Sequence, residues 1–144
     1  MTAASAGVPV RLLVVDDHPV VRDGIVGMVA SDPGVEVVGE ASDGAEAVQL
    51  ARVLTPDVVL MDLRMRGMDG VAAIRELTRL GLPCRVVVLT TFDGDSDVLP
   101  AIEAGATGYL LKDAPRDDLL RAIRAAAVGD AVLAPSVASR LVGR

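Results

Sequence analysis

Short apolar runs alternate along the chain with longer segments in which apolar residues recur at helical spacing. The runs are rich in Val and Leu, which is typical of buried strands. We predict strands at residues 11–15, 35–40, 57–61, 85–89 and 107–111. The segments that follow predict helices at 19–30, 43–54 and 70–80, a fourth that ends at 105, and a fifth at 115–128. One strand every 22–28 residues is the spacing of βα units, so the pattern predicts a parallel sheet with helices on both faces.

Several predicted helix ends carry local sequence signals. Asp43 followed by Glu46 resembles a capping box, and Asp69 can cap the third helix. Gly81 and Gly129 follow the last apolar positions of the third and fifth helices, where a glycine commonly ends a helix.

Pro100 falls inside the region of the fourth helix, where proline is unexpected. Deep in a helix it would lack an N–H donor and clash with the preceding turn. We therefore predict that this helix starts late and is short, about residues 100–104, with Pro100 in the first turn. Residues 93–99 would then form an acidic loop.

Composition and charge exclude several classes of protein. No run reaches 18 apolar residues, so no membrane span is expected, and the single cysteine, Cys84, fits a reducing compartment such as the cytoplasm. The net charge of −6 argues against direct binding of nucleic acid. Of the 14 basic residues only Lys112 is a lysine, which suggests a role that arginine cannot fill.

Polar groups follow four of the five predicted strands. Since parallel strands end at the same edge of a sheet, these groups are expected to lie close together. They are Asp16 and Asp17 after the first strand, Asp62 after the third, Thr90 after the fourth and Lys112 after the fifth.

Three carboxylates at one edge would repel each other unless a cation joined them, and Mg²⁺ is the natural partner for oxygen ligands. A phosphoryl group at that edge could be neutralised by Mg²⁺, the Thr90 hydroxyl and the Lys112 ammonium. One carboxylate could then act as the nucleophile and form an aspartyl phosphate, and we expect it to be Asp62.

The segments around these residues resemble a known family. Together they look like the receiver domain of a two-component response regulator, closest to the NarL/FixJ type with its LuxR-type helix-turn-helix domain. The segments are VVDDHP at 14–19, LMDLRM at 60–65, GMDG at 67–70, VLT at 88–90 and GATGYLLK at 105–112.

The resemblance implies a flavodoxin-like (βα)₅ fold with strand order 2-1-3-4-5, and Asp62 as acceptor of a phosphoryl group from a sensor histidine kinase. Asp16 and Asp17 would hold Mg²⁺ with Asp62 and the backbone carbonyl of Arg64. Thr90 and Lys112 would contact the phosphoryl group, and Tyr109 would turn inward when Thr90 moves.

The same resemblance divides the chain into a flexible tail at 1–9, a receiver at 10–130, and the start of a linker helix at 131–144. It implies that the protein homodimerises on phosphorylation and that DNA is bound only through a C-terminal domain outside this chain. Such a module catalyses only its own phosphorylation and dephosphorylation, so we do not expect an ordinary enzyme.

Two features depart from the family pattern, and two other functions compete. Arg66 stands where the family usually has proline, and Pro100 interrupts the fourth helix.

A haloacid-dehalogenase-like phosphatase also uses an Asp nucleophile and Mg²⁺, but it has D-x-D where this chain has adjacent Asp16 and Asp17. A degenerate receiver used as a scaffold is the other alternative.

His18 has no second His or Cys nearby and is expected to be a surface residue at a helix start.

Overall fold

The computed structural model describes residues 8–90, 98–130 and 132–133. The strands are β1 Val10–Val15, β2 Val35–Ala41, β3 Val58–Asp62, β4 Arg85–Thr90, β5 Gly108–Leu111 and β6 Val132–Leu133. The helices are α1 Pro19–Ala30, α2 Gly44–Leu54, α3 Gly70–Arg79, α4 Val98–Ala104 and α5 Arg116–Ala127. The alternation of strands and helices predicted from the apolar pattern is confirmed.

All strand pairs in the sheet are parallel, in the order β2-β1-β3-β4-β5-β6. The first five follow the order 2-1-3-4-5 that the resemblance implies. The sixth strand, Val132–Leu133, pairs with Gly108 and Tyr109, so these two residues of the expected linker segment at 131–144 form a strand and not a helix. The rest of that segment, and residues 1–7 of the expected tail, lie outside the described residues.

The sheet separates two apolar cores. On one face, strand residues such as Val59 and Met61 pack with residues of α2, α3 and α4. On the other face, strand residues such as Val58 and Leu60 pack with α1 and α5. Successive strand residues point to opposite faces, so continuously apolar strands serve both cores.

The predicted helix caps are present. The Asp43 carboxylate accepts a hydrogen bond from the Glu46 amide at 2.8 Å, and the Glu46 carboxylate accepts one from the Ser42 amide at 2.7 Å. Asp69 accepts a hydrogen bond from the Ala72 amide at 2.9 Å. Both caps fix the start of a helix directly after a loop at the carboxyl edge of the sheet.

The fourth helix differs from its prediction at its start. It is described as Val98–Ala104, so Pro100 is its third residue and lies in the first described turn. Val98 and Leu99 are helical, which corrects the part of the predicted 93–99 loop that they occupy. Residues 93–97 lie outside the described residues, so that part of the loop stays a prediction.

Among the helices of the described part of the chain, none is both long enough and apolar enough to cross a membrane.

Candidate functional site

The polar residues predicted at the strand ends meet at one edge of the sheet. Asp16 and Asp17 follow β1, Asp62 is the last residue of β3, and Lys112 follows β5. Because β1, β3, β4 and β5 are successive neighbours in the sheet, their carboxyl ends lie side by side. The apolar strands thus place charged groups that are far apart in sequence around one small space.

Lys112 joins the two most buried carboxylates. Its Nζ lies 3.2 Å from Asp16 Oδ2 and 3.2 Å from Asp62 Oδ2. The side chains of Asp16 and Asp62 are 1% and 5% exposed, whereas that of Lys112 is 21% exposed. One ammonium therefore neutralises part of the charge of two carboxylates that water reaches poorly.

The surroundings of Asp62 raise the free energy of its ionised form. Burial raises the pKa of its carboxyl above the ordinary value, and the relief from the Lys112 ammonium is reduced by repulsion from Asp16. The Asp62 Oδ1 atom accepts a hydrogen bond from the Arg64 amide at 3.3 Å. An added cation would offset this unfavourable charge.

Burial and the neighbouring carboxylates shift the pKa of Lys112 in opposite directions. Desolvation alone would lower it, but the Asp62 and Asp16 carboxylates outweigh that effect and hold the pKa above its ordinary value. Lys112 is therefore a fixed positive charge at neutral pH, suited to attract the oxygens of a phosphoryl group.

Asp16 is fixed by the start of α1. Its Oδ1 atom accepts a hydrogen bond from the His18 amide at 2.9 Å, and its backbone carbonyl accepts one from Arg22 Nη1 at 2.8 Å. Asp17 is 16% exposed and lies on the more open side of the cluster. The deeper carboxylate is thus immobilised, while its neighbour remains reachable from solvent.

The donor set fits a divalent cation. One ligand atom from each of Asp16, Asp17, His18 and Asp62 can be chosen so that all lie within 4.8 Å of one another. Three buried oxygens, Asp16 Oδ2, Asp17 Oδ1 and Asp62 Oδ2, accept no hydrogen bond. Asp16 Oδ2 and Asp62 Oδ2 each lie 3.2 Å from Lys112 Nζ, and Asp17 Oδ1 lies 2.9 Å from His18 Nδ1. Carboxylate oxygens with lone pairs to spare are the ligands that Mg²⁺ prefers.

Thr90 and Tyr109 lie on the neighbouring strands β4 and β5. Thr90 ends β4 and is buried, and its carbonyl accepts a hydrogen bond from the Lys112 amide at 2.8 Å. Tyr109 pairs with Val88 across β4 and β5, and its side chain is fully buried in the core that faces α4. The aromatic ring therefore occupies the inward position.

Sequence reasoning missed that the His18 imidazole lies against the cluster. It is an exposed residue at the start of α1, as expected, but its imidazole Nδ1 also lies 2.9 Å from Asp17 Oδ1. The available signal was its position directly after two carboxylates. Arg66 is exposed and lines two surface clefts with Asp17, so the departure from the family pattern borders the site.

Comparison with known proteins agrees with the fold. Residues 12–124 match the model of the response regulator receiver domain family. The chain belongs to this family, as a receiver domain of the type found in NarL/LuxR response regulators. The family is one of signalling receivers rather than of ordinary enzymes.

The chain also resembles individual curated proteins along most of its length. The chain is 46% identical to the transcriptional regulatory protein LiaR of Bacillus subtilis over 135 residues, which are 94% of this chain and 64% of LiaR. It therefore spans less than two thirds of that relative.

Two solved receiver structures resemble the whole fold. The receiver domain of the NarL response regulator of Mycobacterium tuberculosis has a TM-score of 0.81 at 41% identity, covering 84% of this chain and 98% of that one. The isolated receiver of RcsB from Salmonella enterica, with the phosphomimetic BeF₃⁻, has a TM-score of 0.81 at 29% identity, covering 92% and 98%.

Proposed function

We propose that this chain is a phosphorylation-controlled switch in which Asp62 accepts a phosphoryl group from a histidine kinase. The observation that carries the proposal is the buried Asp62 carboxylate 3.2 Å from the Lys112 ammonium, beside two further carboxylates. The RcsB receiver, a solved relative, was studied with a phosphomimetic, which supports phosphorylation as the signal for this fold.

The chemical step is a transfer between two side chains. An oxygen of the Asp62 carboxylate attacks phosphorus, and the bond between phosphorus and the imidazole nitrogen of the kinase breaks, so the electron pair leaves with the imidazole. The divalent cation, Mg²⁺ in our proposal, supplies positive charge to the phosphoryl oxygens when it is bound.

Individual residues of the chain have separate tasks in this proposal. Asp16, Asp17 and Asp62 hold the cation together with the backbone carbonyl of Arg64. Lys112 pairs with one phosphoryl oxygen, and its distance of 3.2 Å from Asp62 supports that role.

The switch would couple this chemistry to the β4–β5 side of the sheet. The Thr90 hydroxyl donates a hydrogen bond to the phosphoryl group, and Tyr109 occupies the space beside it. The hydrogen bond from the Lys112 amide to the Thr90 carbonyl supports this coupling, because movement of one strand end is transmitted to the other.

The whole protein would use this switch to regulate transcription. We assign residues 10–130 to the receiver, with a DNA-binding domain elsewhere in the full-length protein. The acidic charge of this chain and the description of LiaR as a transcriptional regulatory protein support that division. The single cysteine supports the cytoplasm as its location.

The direct test is incorporation of a phosphoryl group from acetyl phosphate with Mg²⁺, followed by mass spectrometry. Wild-type protein should gain one phosphoryl group, and Asp62→Asn should gain none. Asp69→Asn is the matched control, since this exposed residue lies at the same edge and asparagine can keep its capping bond. Stoichiometric labelling of Asp62→Asn would overturn the assignment.

The same experiment separates the competing functions. A switch accumulates about one acid-stable, base-labile phosphoryl group per chain. A phosphatase of the haloacid-dehalogenase kind would release phosphate continuously, and an interaction scaffold would take up no label.

We also propose that phosphorylation promotes pairing of two receivers. The reasoning is that helix-turn-helix regulators bind symmetric half-sites as dimers. Sedimentation with and without BeF₃⁻ should show an increase in mass with the phosphoryl mimic, and identical monomers up to high concentration would contradict this part.

A further inference from the structure

His18 occupies a helix start where its side chain does nothing for the helix. It is the N-cap residue of α1, a position that favours Ser, Thr, Asn or Asp because their side chains accept a backbone hydrogen bond. The His18 side chain makes no capping bond. Helix stability therefore gives no reason for an imidazole at this position.

The backbone of His18 is fixed on both sides. Its amide donates a hydrogen bond to Asp16 Oδ1 at 2.9 Å, and its carbonyl accepts one from the Arg22 amide at 2.9 Å. Pro19 directly after it restricts the backbone further. These constraints fix the point at which the imidazole is attached, directly beside the two carboxylates.

The distances suit ligands of a single metal ion. His18 Nδ1 lies 2.9 Å from Asp17 Oδ1 and 3.5 Å from Asp16 Oδ1. Two neighbouring ligands of an octahedral ion, each bound at about 2.1 Å, are separated by roughly 3.0 Å. The nitrogen and the Asp17 oxygen are therefore already spaced as adjacent ligands, on the solvent side where His18 is 69% exposed.

We propose that His18 Nδ1 is a ligand of the metal site, which makes the site favour first-row transition ions such as Mn²⁺ and Co²⁺ relative to Mg²⁺. This inference rests on the metal site of the proposed function and adds one ligand to it. Neutral imidazole coordinates through either nitrogen.

The chemistry of the ligands gives the selectivity its direction. Mg²⁺ prefers oxygen ligands and keeps several waters, so replacing a water by imidazole contributes little to its binding. Imidazole nitrogen binds later divalent ions more strongly, in an order that rises from Mn²⁺ through Co²⁺. The carboxylates alone would attract any divalent cation, whereas His18 discriminates among them.

A spectroscopic test is unusually direct because the chain has a single histidine. The chain, free of any histidine tag, is loaded with Mn²⁺ and examined by pulsed electron paramagnetic resonance with ¹⁴N or ¹⁵N-labelled histidine. The coupling of a directly bound imidazole nitrogen is expected in the wild type and absent in His18→Ser. Serine is a good N-cap, so α1 should remain intact in this variant.

Affinity measurements supply the second readout. His18→Ser should lower the affinity for Co²⁺ by about tenfold or more and change that for Mg²⁺ by less than about twofold. An equal change for both ions would contradict the proposal. So would tighter binding of both, which is expected if His18 merely occupies Asp17 as an ion-pair partner.

Asp17→Asn distinguishes failure of this inference from failure of the proposed function. If Mn²⁺ binding depends on Asp17 but shows no histidine coupling, the metal site stands and the role of His18 is wrong. If Asp17→Asn leaves Mn²⁺ and Mg²⁺ binding unchanged, the metal site itself is wrong and His18 has no role in it.

Discussion

Lys112 shows how much one side chain can depend on its shape. Its ammonium lies equally close to Asp16 and Asp62, as a compact charge with three donors can do. An arginine would present a planar fork that favours two parallel bonds to one carboxylate. The chain uses arginine for every other basic residue, and its single lysine stands where the ammonium reaches two carboxylates at once.

We predict that Lys112→Arg folds normally but accepts phosphoryl groups at a rate lower by about tenfold or more, because the fork displaces the developing charge from its partner. Circular dichroism would establish folding, and labelling from acetyl phosphate would measure the rate. The exposed Arg121→Lys, on the outer side of α5, is the control. A wild-type labelling rate together with a wild-type dimerisation response would show that the point charge is dispensable.

The Asp62 carboxyl makes metal-free stability depend on pH. Its pKa is raised by burial, so between the unfolded and folded pKa values the folded state binds more protons than the unfolded state. Stability therefore falls as the pH rises through that interval. We predict that Asp62→Asn has a higher Tm than wild type at pH 7 in EDTA, and that this advantage disappears on acidification below the ordinary pKa of an aspartic acid.

Thermal unfolding of both proteins across pH 3–8 would check this prediction. Mg²⁺ should raise the Tm of the wild type more than that of Asp62→Asn, since the variant lacks one of the proposed ligands. A lower Tm for Asp62→Asn at pH 7 would mean that the ion pair with Lys112 stabilises the fold more than burial of Asp62 destabilises it.

At the scale of whole elements, glycines in two helices differ in the space around them, so their replacement by alanine should have opposite effects on stability. Gly24 lies within α1, and a Cβ atom there would meet nothing within 4 Å. Gly70 begins α3, and a Cβ atom there would lie 2.4 Å from the Asp62 carbonyl oxygen and 2.7 Å from Leu63 Cα. The close approach at Gly70 lets α3 start directly against the end of β3, beside Asp62.

Substitution by alanine should separate these two cases. Gly24→Ala should raise the free energy of unfolding by about 0.5–1 kcal/mol through helix propensity. Gly70→Ala should lower it by about 1–3 kcal/mol because the backbone must move apart. Urea denaturation measures both, and a stable Gly70→Ala with wild-type phosphorylation would show that the close approach is not needed.

The sequence predicted those elements whose causes are local. Apolar runs located the strands, and the Asp43 and Asp69 caps located two helix starts within a residue. The pairing of Val132–Leu133 with β5 was missed because two residues carry no periodicity and their partner is distant in sequence. The contact of the His18 imidazole with Asp17 was missed for a different reason: the sequence order Asp16, Asp17, His18 allows it, but the conformation of this exposed side chain decides it.

At the scale of the molecule, the sheet divides the interior into two cores that do not share side chains. Ile74 belongs to the core under α3, and Ile123 to the core under α5 on the other face. Each Ile→Val change should cost about 0.5–1.5 kcal/mol, and the double variant should equal the sum within about 0.5 kcal/mol. A larger coupling energy in denaturant unfolding would mean that the sheet transmits repacking from one face to the other.

The two cores can contribute independently to the free energy of unfolding and still unfold together. In β1, Leu13 and Val15 face one core while Leu12 and Val14 face the other, and β3 and β4 likewise contribute side chains to both cores. Loss of the helices from either face of the sheet would expose every second side chain of the same strands. The hydrogen bonds between these strands would then be less stable. Slow amide hydrogen exchange should therefore concentrate in β1, β3 and β4, and their protons should exchange together, at the rate of global unfolding.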